Sequence, residues 1–426
     1  MEFSLAYGDD TISAEIPWGR CLGTLDIGHA PALADPEDAL DRGMAQPIGL
    51  SGSLYETFAP GQRVLIVVSD SFRYTGIEKV LPRLLSRLAE RGVAEEDIEF
   101  LVATGTHRGP TEEEAAKILG KDIYPHFASR MHTHEPFDLD KNRLVGTTSR
   151  GTPVWVNYRL LDADRVLVTG SVILHYFGGF GGGRKSVVPG CAAEPTIAAN
   201  HARNLHPTEN ALNPAVRIGT LDGNPVAEDM LEAAKFVRVD GIINTVLNRN
   251  NEIAGLYVGD MDAAHREACA FAHDMYCVQI PEQADLVLAT GGKAKNFIQS
   301  HKALFNAYQA MKPGGRMLFA ARAQEGYGGN KFQQWLDLRT CDAVIEQLRK
   351  NAEINGQTAL STLEKAPSAV MVSDLTEEQV TRLGARKAAT LDAALEQLRS
   401  ELTANGVDNP TYYYMPSAPY TVPVLT

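Results

Sequence analysis

The chain is expected to fold as α/β, in two domains that each carry a mainly parallel sheet flanked by helices. Three observations predict this. Short β-branched runs recur along the chain, each passes through a polar turn into an amphipathic stretch, and those turns hold most of the residues capable of chemistry. The 426 residues are 44% hydrophobic and 22% charged, a globular balance that excludes disordered and fibrous organisation.

The elements follow in order. Arg63–Ser69 is nearly all branched aliphatic and leads into Asp70-Ser71-Phe72-Arg73 and then an amphipathic stretch from Gly76 to Arg91: strand, turn, helix. Ile98–Ala103 repeats the plan through Thr104-Gly105-Thr106-His107-Arg108-Gly109-Pro110 into a helix over Thr111–Leu119, where Thr111 and Glu114 form a capping box. Arg165–Thr169 is a third strand, and Asp285–Thr290, Gly315–Ala321 and Ala369–Ser373 form a second set. A helical stretch, Ala263–Met275, gives way to Ile280-Pro281, so the expected domains are residues 1–278 and 279–426. The Pro- and Tyr-rich stretch after Asn409 is expected to pack back on the N-terminal domain. Strands alternating with helices give sheets covered on both faces, with ligands beyond the carboxyl ends of the strands.

Charge and cysteines narrow the function. Lys and Arg number 40 against 53 Asp and Glu, a formal net charge of -13, which repels nucleic acid and anionic membrane surfaces. Cys21, Cys191, Cys269, Cys277 and Cys341 are odd in number and contain no CxxC pair, so neither a disulfide framework nor a structural zinc cluster is expected. No apolar run reaches the ~18 residues of a membrane span, and the first residues lack a basic-then-apolar leader. The expectation is a soluble, reduced, cytoplasmic protein.

The densest chemical signal is His175-Tyr-Phe-Gly-Gly-Phe-Gly-Gly-Gly-Arg-Lys-Ser186, followed by Asn200-His201. Its glycines let backbone approach a ligand and offer N–H groups to an anion. It is not a P-loop, because Arg184 stands where that motif needs Gly before the Lys. A flexible surface loop explains the glycines alone but not the His175, Arg184 and Lys185 gathered around them. His201 and His206 are five apart, which misses the i, i+4 spacing of a helical zinc pair. His107 sits in a turn of small residues with no apolar face to bury it, whereas His126, His132 and His134 read as surface residues. Asp70 and Arg73 share one strand end, either as a local ion pair or as anion-binding groups. Gln299-Ser-His-Lys302 opens a helix, a position that attracts anions.

Five motifs in order decide between these readings: D-x-x-R at Asp70–Arg73, T-G-x-H-R at Thr104–Arg108, H-x-F-G-G-x-G-G-G-x-K at His175–Lys185, N-H at Asn200-His201, and Q-S-x-K-A-L at Gln299–Leu304. Over essentially its whole length the chain resembles the lactate racemase family, the racemases and epimerases of 2-hydroxy acids that depend on a nickel-pincer nucleotide. The resemblance implies an active site in the interdomain cleft, with the second domain closing over substrate. It implies nickel-pyridinium-3,5-bisthiocarboxylate mononucleotide attached covalently to Lys185, with His201 as the protein's nickel ligand. Asp70, Ser71, Phe72, Arg73, Gly181, Gly182 and Gly183 would contact the cofactor. His107 and His175 would be the paired acid/bases, and Arg73, Gln299 and Lys302 would hold the substrate carboxylate. The implied partners are a small 2-hydroxy acid and the enzymes that make the cofactor, around a monomer or homodimer.

Ile298, where the family often carries Tyr, points to an apolar pocket wall and a lactate-like or larger side chain. The alternatives are an epimerase of a sugar acid, a non-catalytic protein that binds a nucleotide or organic acid, and, below both, a metal-dependent hydrolase.

Overall fold

The computed structural model describes residues 1–28 and 30–426. Two six-stranded sheets carry the fold. Their strands are β1 (Arg20–Thr24), β2 (Val64–Ser69), β3 (Ile98–Ala103), β4 (Met131–Thr133), β5 (Arg165–Ser171), β6 (Gly241–Leu247), β7 (Ile253–Gly259), β8 (Ala284–Thr290), β9 (Met311–Ala320), β10 (Ala369–Val372), β11 (Arg386–Ala388) and β12 (Thr411–Met415). The α/β class and the parallel sheets are those expected. The chain divides into two compact units, one of His29–Pro207 with Leu212–His273, the other of Met1–Gly28 and Thr208–Ala211 with Asp274–Thr426.

In the first unit the strand order is β7-β6-β5-β2-β3-β4, parallel except for the antiparallel edge pair β6 and β7. Val64 to Val68 are all buried, as expected of a strand covered on both faces. Each such side chain contributes roughly 1.5–3 kcal/mol of burial energy. Connections run from β2 outward through β3 and β4, then return to β5 on the other side of β2. The order therefore reverses between β2 and β5, the crevice where open α/β sheets hold ligands. The Asp70–Arg73 turn leaves β2 at this point and the His175–Ser186 loop follows β5.

The second unit has the order β11-β10-β9-β8-β12-β1, parallel throughout. It corrects the expected 1–278 and 279–426 partition at the N-terminus. Residues 1–28 build into this unit because β1 pairs with β12 and the Tyr7 backbone bridges to Gly292. The Tyr-rich C-terminal stretch is likewise an inner strand of this sheet, paired with β8 on one side and β1 on the other. One of those neighbours, Arg20–Thr24, falls within the expected 1–278 domain. Three consecutive tyrosines, Tyr412 to Tyr414, place aromatic rings on both faces of this largely buried strand.

Candidate functional site

The turn after β2 is organised by Asp70. Its Oδ1 accepts the Phe72 N–H at 3.1 Å, and its carbonyl accepts the Arg73 N–H at 3.1 Å. Its Oδ2 lies 2.7 Å from Nδ1 of His107, which enters from the turn after β3. The local Asp70–Arg73 ion pair weighed from sequence is thus not formed. A carboxylate only accepts, so Nδ1 of His107 carries the hydrogen and the neutral ring keeps a lone pair on Nε2. The Phe72 ring lies 5.0 Å from the imidazole, and the Arg108 guanidinium, held by Glu114 through two 2.6 Å bonds, sits 5.2 Å over Phe72. Arg73 is exposed and pairs with no carboxylate among the described residues. Beside it is a pocket of about 280 Å³ lined by Asp70, Ser71, Arg73, Tyr74, Thr75 and Lys117 among others.

The glycine loop after β5 makes the second part. Nδ1 of His175 accepts from the amides of Phe177, at 3.4 Å, and Gly178, at 3.2 Å, so the neutral ring carries its hydrogen on Nε2. Lys185 directs its ammonium group over the Phe177 ring at 5.3 Å, with no acid partner among the described residues. Burial, with the Arg73 and Arg184 guanidinium groups, pushes its pKa well below the usual lysine range. A Cβ at position 178 would stand 3.2 Å from Lys185 Nζ and 3.5 Å from His175 Nδ1, so glycine there keeps open the space that these two groups face. The T-G-x-H-R turn joins the same region, since the Gly105 N–H donates to the Gly190 carbonyl at 2.9 Å.

His201 closes α1 (Glu194–His201) and is buried, its ring 4.8 Å from Phe177. Burial and the nearby Lys185 hold its pKa down to about 3, so the imidazole is neutral, the form that binds metal. The end of α1 is anchored by Asp229 on α2 (Pro225–Ala234). This fully buried carboxylate accepts from Thr148, Thr152 and Asn200 at 2.6, 2.8 and 2.9 Å and pairs with Arg203 at 3.2 Å. Among the described residues no cluster of three or more His, Cys, Asp or Glu is arranged to hold a metal ion.

Two family-specific sequence profiles match the chain, the lactate racemase N-terminal domain over residues 7–212 and the lactate racemase C-terminal domain over residues 280–408. A lactate racemase from Lactiplantibacillus plantarum is 31% identical over 412 residues, covering 93% of this chain and 94% of that one. The chain belongs to the lactate racemase family. A second lactate racemase, from Thermoanaerobacterium thermosaccharolyticum, is 30% identical over 337 residues, covering 78% and 76%. The solved structure of the lactate racemase apoprotein from that organism has a TM-score of 0.87 at 26% identity, covering 100% of both chains. A crystal structure of a Thermotoga maritima protein, with a TM-score of 0.65 and 19% identity over 94% of this chain and 100% of that one, shares the fold. As a lactate racemase family member the chain is an isomerase of the racemase class.

In the first unit the structure therefore brings Asp70, Phe72 and His107 into one cluster, and His175, Lys185 and His201 around Phe177 into another. Gln299 and Lys302 lie in the other unit, on the first turns of α4 (Phe297–Gln309), where Asn296 caps the helix and the exposed Gln299 accepts the Lys295 N–H at 3.0 Å. The sequence reading missed three buried polar residues of the first unit: Asp229, Asn244 and His265. Asn244 sits in an otherwise apolar strand, and His265 interrupts an alanine-rich helix. A polar residue on an apolar face was the signal available. His134, read as surface, is buried under β3, donates from Nε2 to the Ala192 carbonyl at 2.9 Å, and has its pKa held down to about 4 by burial. No helix among the described residues is long and apolar enough to cross a membrane.

Proposed function

We propose that the chain racemises or epimerises a 2-hydroxy carboxylic acid, lactate or one with a larger side chain, using a nickel-pincer nucleotide tethered to Lys185. The observation that carries the reading is Lys185 itself: an amine set over the Phe177 ring with no acid partner among the described residues, its pKa pushed well below the usual lysine range by burial and then by two guanidinium groups, is a nucleophile suited to acyl-type attachment. The neutral imidazole of His201 suits nickel and would be the protein's ligand to it. Such a group, when bound, supplies reversible hydride acceptance at the substrate carbon. This avoids removing the weakly acidic proton beside a carboxylate.

The protein's residues then do the rest. His107 takes the hydroxyl proton at Nε2, the atom left with a lone pair by Asp70. His175, resting in the opposite tautomer, offers an N–H at Nε2, so the two rings present a proton acceptor and a proton donor to a reaction that must run both ways. Arg73 is assigned to the substrate carboxylate, the role that the family resemblance also implies for Gln299 and Lys302. Asp70, Ser71, Phe72, Gly181, Gly182 and Gly183 are assigned to the cofactor.

The test is protein co-produced with the cofactor-biosynthesis enzymes, followed by intact mass, peptide mapping, nickel content and chiral analysis of a panel of 2-hydroxy acids beginning with lactate. The expected result is an adduct on Lys185, nickel near one per chain, and interconversion that is lost by at least about 10²-fold in His107→Ala and His175→Ala while nickel is retained. Lys185→Ala should carry no adduct. Absence of adduct and nickel, from a host that loads a known family member, would overturn the reading.

A further inference from the structure

The residue beside Lys185 points the other way, into the protein, and its surroundings are unusual. Arg184 is 2% exposed and no carboxylate among the described residues pairs with it. The nearest acids, Asp222 and Asp262, are engaged by Arg266 at 2.7 and 3.1 Å. Burying a guanidinium without a counter-ion carries a heavy desolvation cost, and an apolar side chain of the same length would fill the space without it. What Arg184 does instead is bond. Its Nη1 donates to Nδ1 of His265 at 3.0 Å, and its Nη2 reaches the Gly178 carbonyl at 3.5 Å.

His265, on α3 (Ala263–Tyr276), is fully buried and completes the link. Because its Nδ1 accepts from Arg184, its hydrogen lies on Nε2, which donates to the Gly181 carbonyl at 2.8 Å. Burial, with the Arg184 charge, holds its pKa down to about 3, so it stays in this single tautomer. The loop lies directly on the ring: a Cβ at Gly183 would come within 2.6 Å of His265 Cδ2. Asn244 Oδ1 on β6 takes the Gly183 N–H at 2.8 Å.

We propose that Arg184 and His265 are positioning residues for Lys185, together clamping the glycine loop at the Gly178 and Gly181 carbonyls so that the Lys185 amine stands fixed over Phe177. This rests on the reading of Lys185 as the reactive amine. The side chains of residues 184 and 185 work as a lever about one backbone, with Arg184 locked in the interior and Lys185 thereby aimed outward. A glycine-rich backbone left without these bonds would spread its amine over many orientations, lowering the fraction poised for attack.

The experiment uses the full-length, cofactor-free chain and N-hydroxysuccinimidyl acetate, which acetylates a lysine amine with loss of N-hydroxysuccinimide and a proton. The Lys185 rate is read by peptide mapping against exposed Lys121 in the same molecule. His265→Leu and Arg184→Met should slow Lys185 acetylation at least about tenfold relative to Lys121. His265→Gln, which retains a donor and an acceptor, should recover most of the rate. Arg184→Lys, which keeps the charge but lacks the guanidinium fork, should stay slow. If His265→Leu does not fold, the Gln and Lys variants carry the comparison.

Unchanged or faster acetylation in folded Arg184→Lys and Arg184→Met overturns the proposal. Co-production with the cofactor enzymes separates the two readings. Wild type that takes no adduct while the acetylation pattern holds sinks the tether but leaves the clamp, whereas variants that acetylate and load like wild type sink the clamp alone.

Discussion

At the scale of single residues, the site depends on which nitrogen of each imidazole holds its hydrogen, and one carboxylate decides this for His107. Asp70→Asn places an amide opposite Nδ1, and an amide N–H there would move the ring hydrogen to Nε2. We expect kcat to fall by about 10²- to 10⁴-fold with KM little altered, measured by chiral chromatography of initial rates; an unchanged kcat would show that Asp70 does not set the tautomer. Arg73→Ala should instead raise KM with nickel content unchanged, because this exposed guanidinium donates only to the Phe72 carbonyl and pairs with no carboxylate among the described residues, which leaves donors for a ligand. The sequence singles out His107, His175 and Lys185 because they lie in small-residue or glycine-rich turns, whereas His201, buried at the end of the alanine-rich α1, is singled out only by the family resemblance. His265 was not legible. It is one polar residue among Ala264, Ala268 and Ala272 on a helix face, and nothing local distinguishes a buried hydrogen-bond bridge from a half-exposed imidazole.

At the scale of elements, the chain's strands were readable where a strand covered on both faces is an unbroken branched-aliphatic run, because such a run has no other stable home. β2, β3 and β8 fall within a residue of their expected limits, and Thr111 caps its helix through the expected box. The hairpin of β6 and β7 and the strand β12 were not assigned, since Asn244 and the tyrosines interrupt the apolar pattern and only tertiary pairing settles them. The glycine loop makes a sharper demand. Gly183 has φ of +51° and lies against the His265 ring, so Gly183→Ala combines an unfavourable backbone region with a steric clash. It should destabilise the chain by roughly 1–3 kcal/mol, checked by urea unfolding, and a variant as stable as wild type would mean the ring can retreat. In the other unit Gly356 serves packing. A Cβ there would come within 2.7–2.8 Å of Leu348 and Trp335, so α5 (Ile354–Lys365) lies close against its neighbouring helices.

At the scale of the whole molecule, four buried imidazoles tie stability to pH. His134 is held down to about 4, and His201, His265 and His301 to about 3, with burial the first cause in each. All four lie below the ordinary value of 6.5, so the unfolded chain takes up protons before the folded one does. Their contribution is complete only well above pH 6.5 and is lost progressively as the pH falls through 6.5 towards the folded values of about 4 and 3. The melting temperature of the cofactor-free protein should therefore decline from pH 7 to pH 5, before carboxylates begin to titrate; a flat profile across that range would mean that these rings are already charged or reach water.

The pairing of β1 with β12 also orders events during synthesis. The strand Arg20–Thr24 has its partner in Thr411–Met415, so it leaves the ribosome long before that partner exists. At roughly 5–20 residues per second the wait is on the order of 20–80 s. Meanwhile every strand of the sheet that carries His107 and Lys185 has already emerged. The nascent chain can thus complete that sheet while Arg20–Thr24 still lacks its partner, which leaves one edge of the second sheet among the last parts of the fold to close.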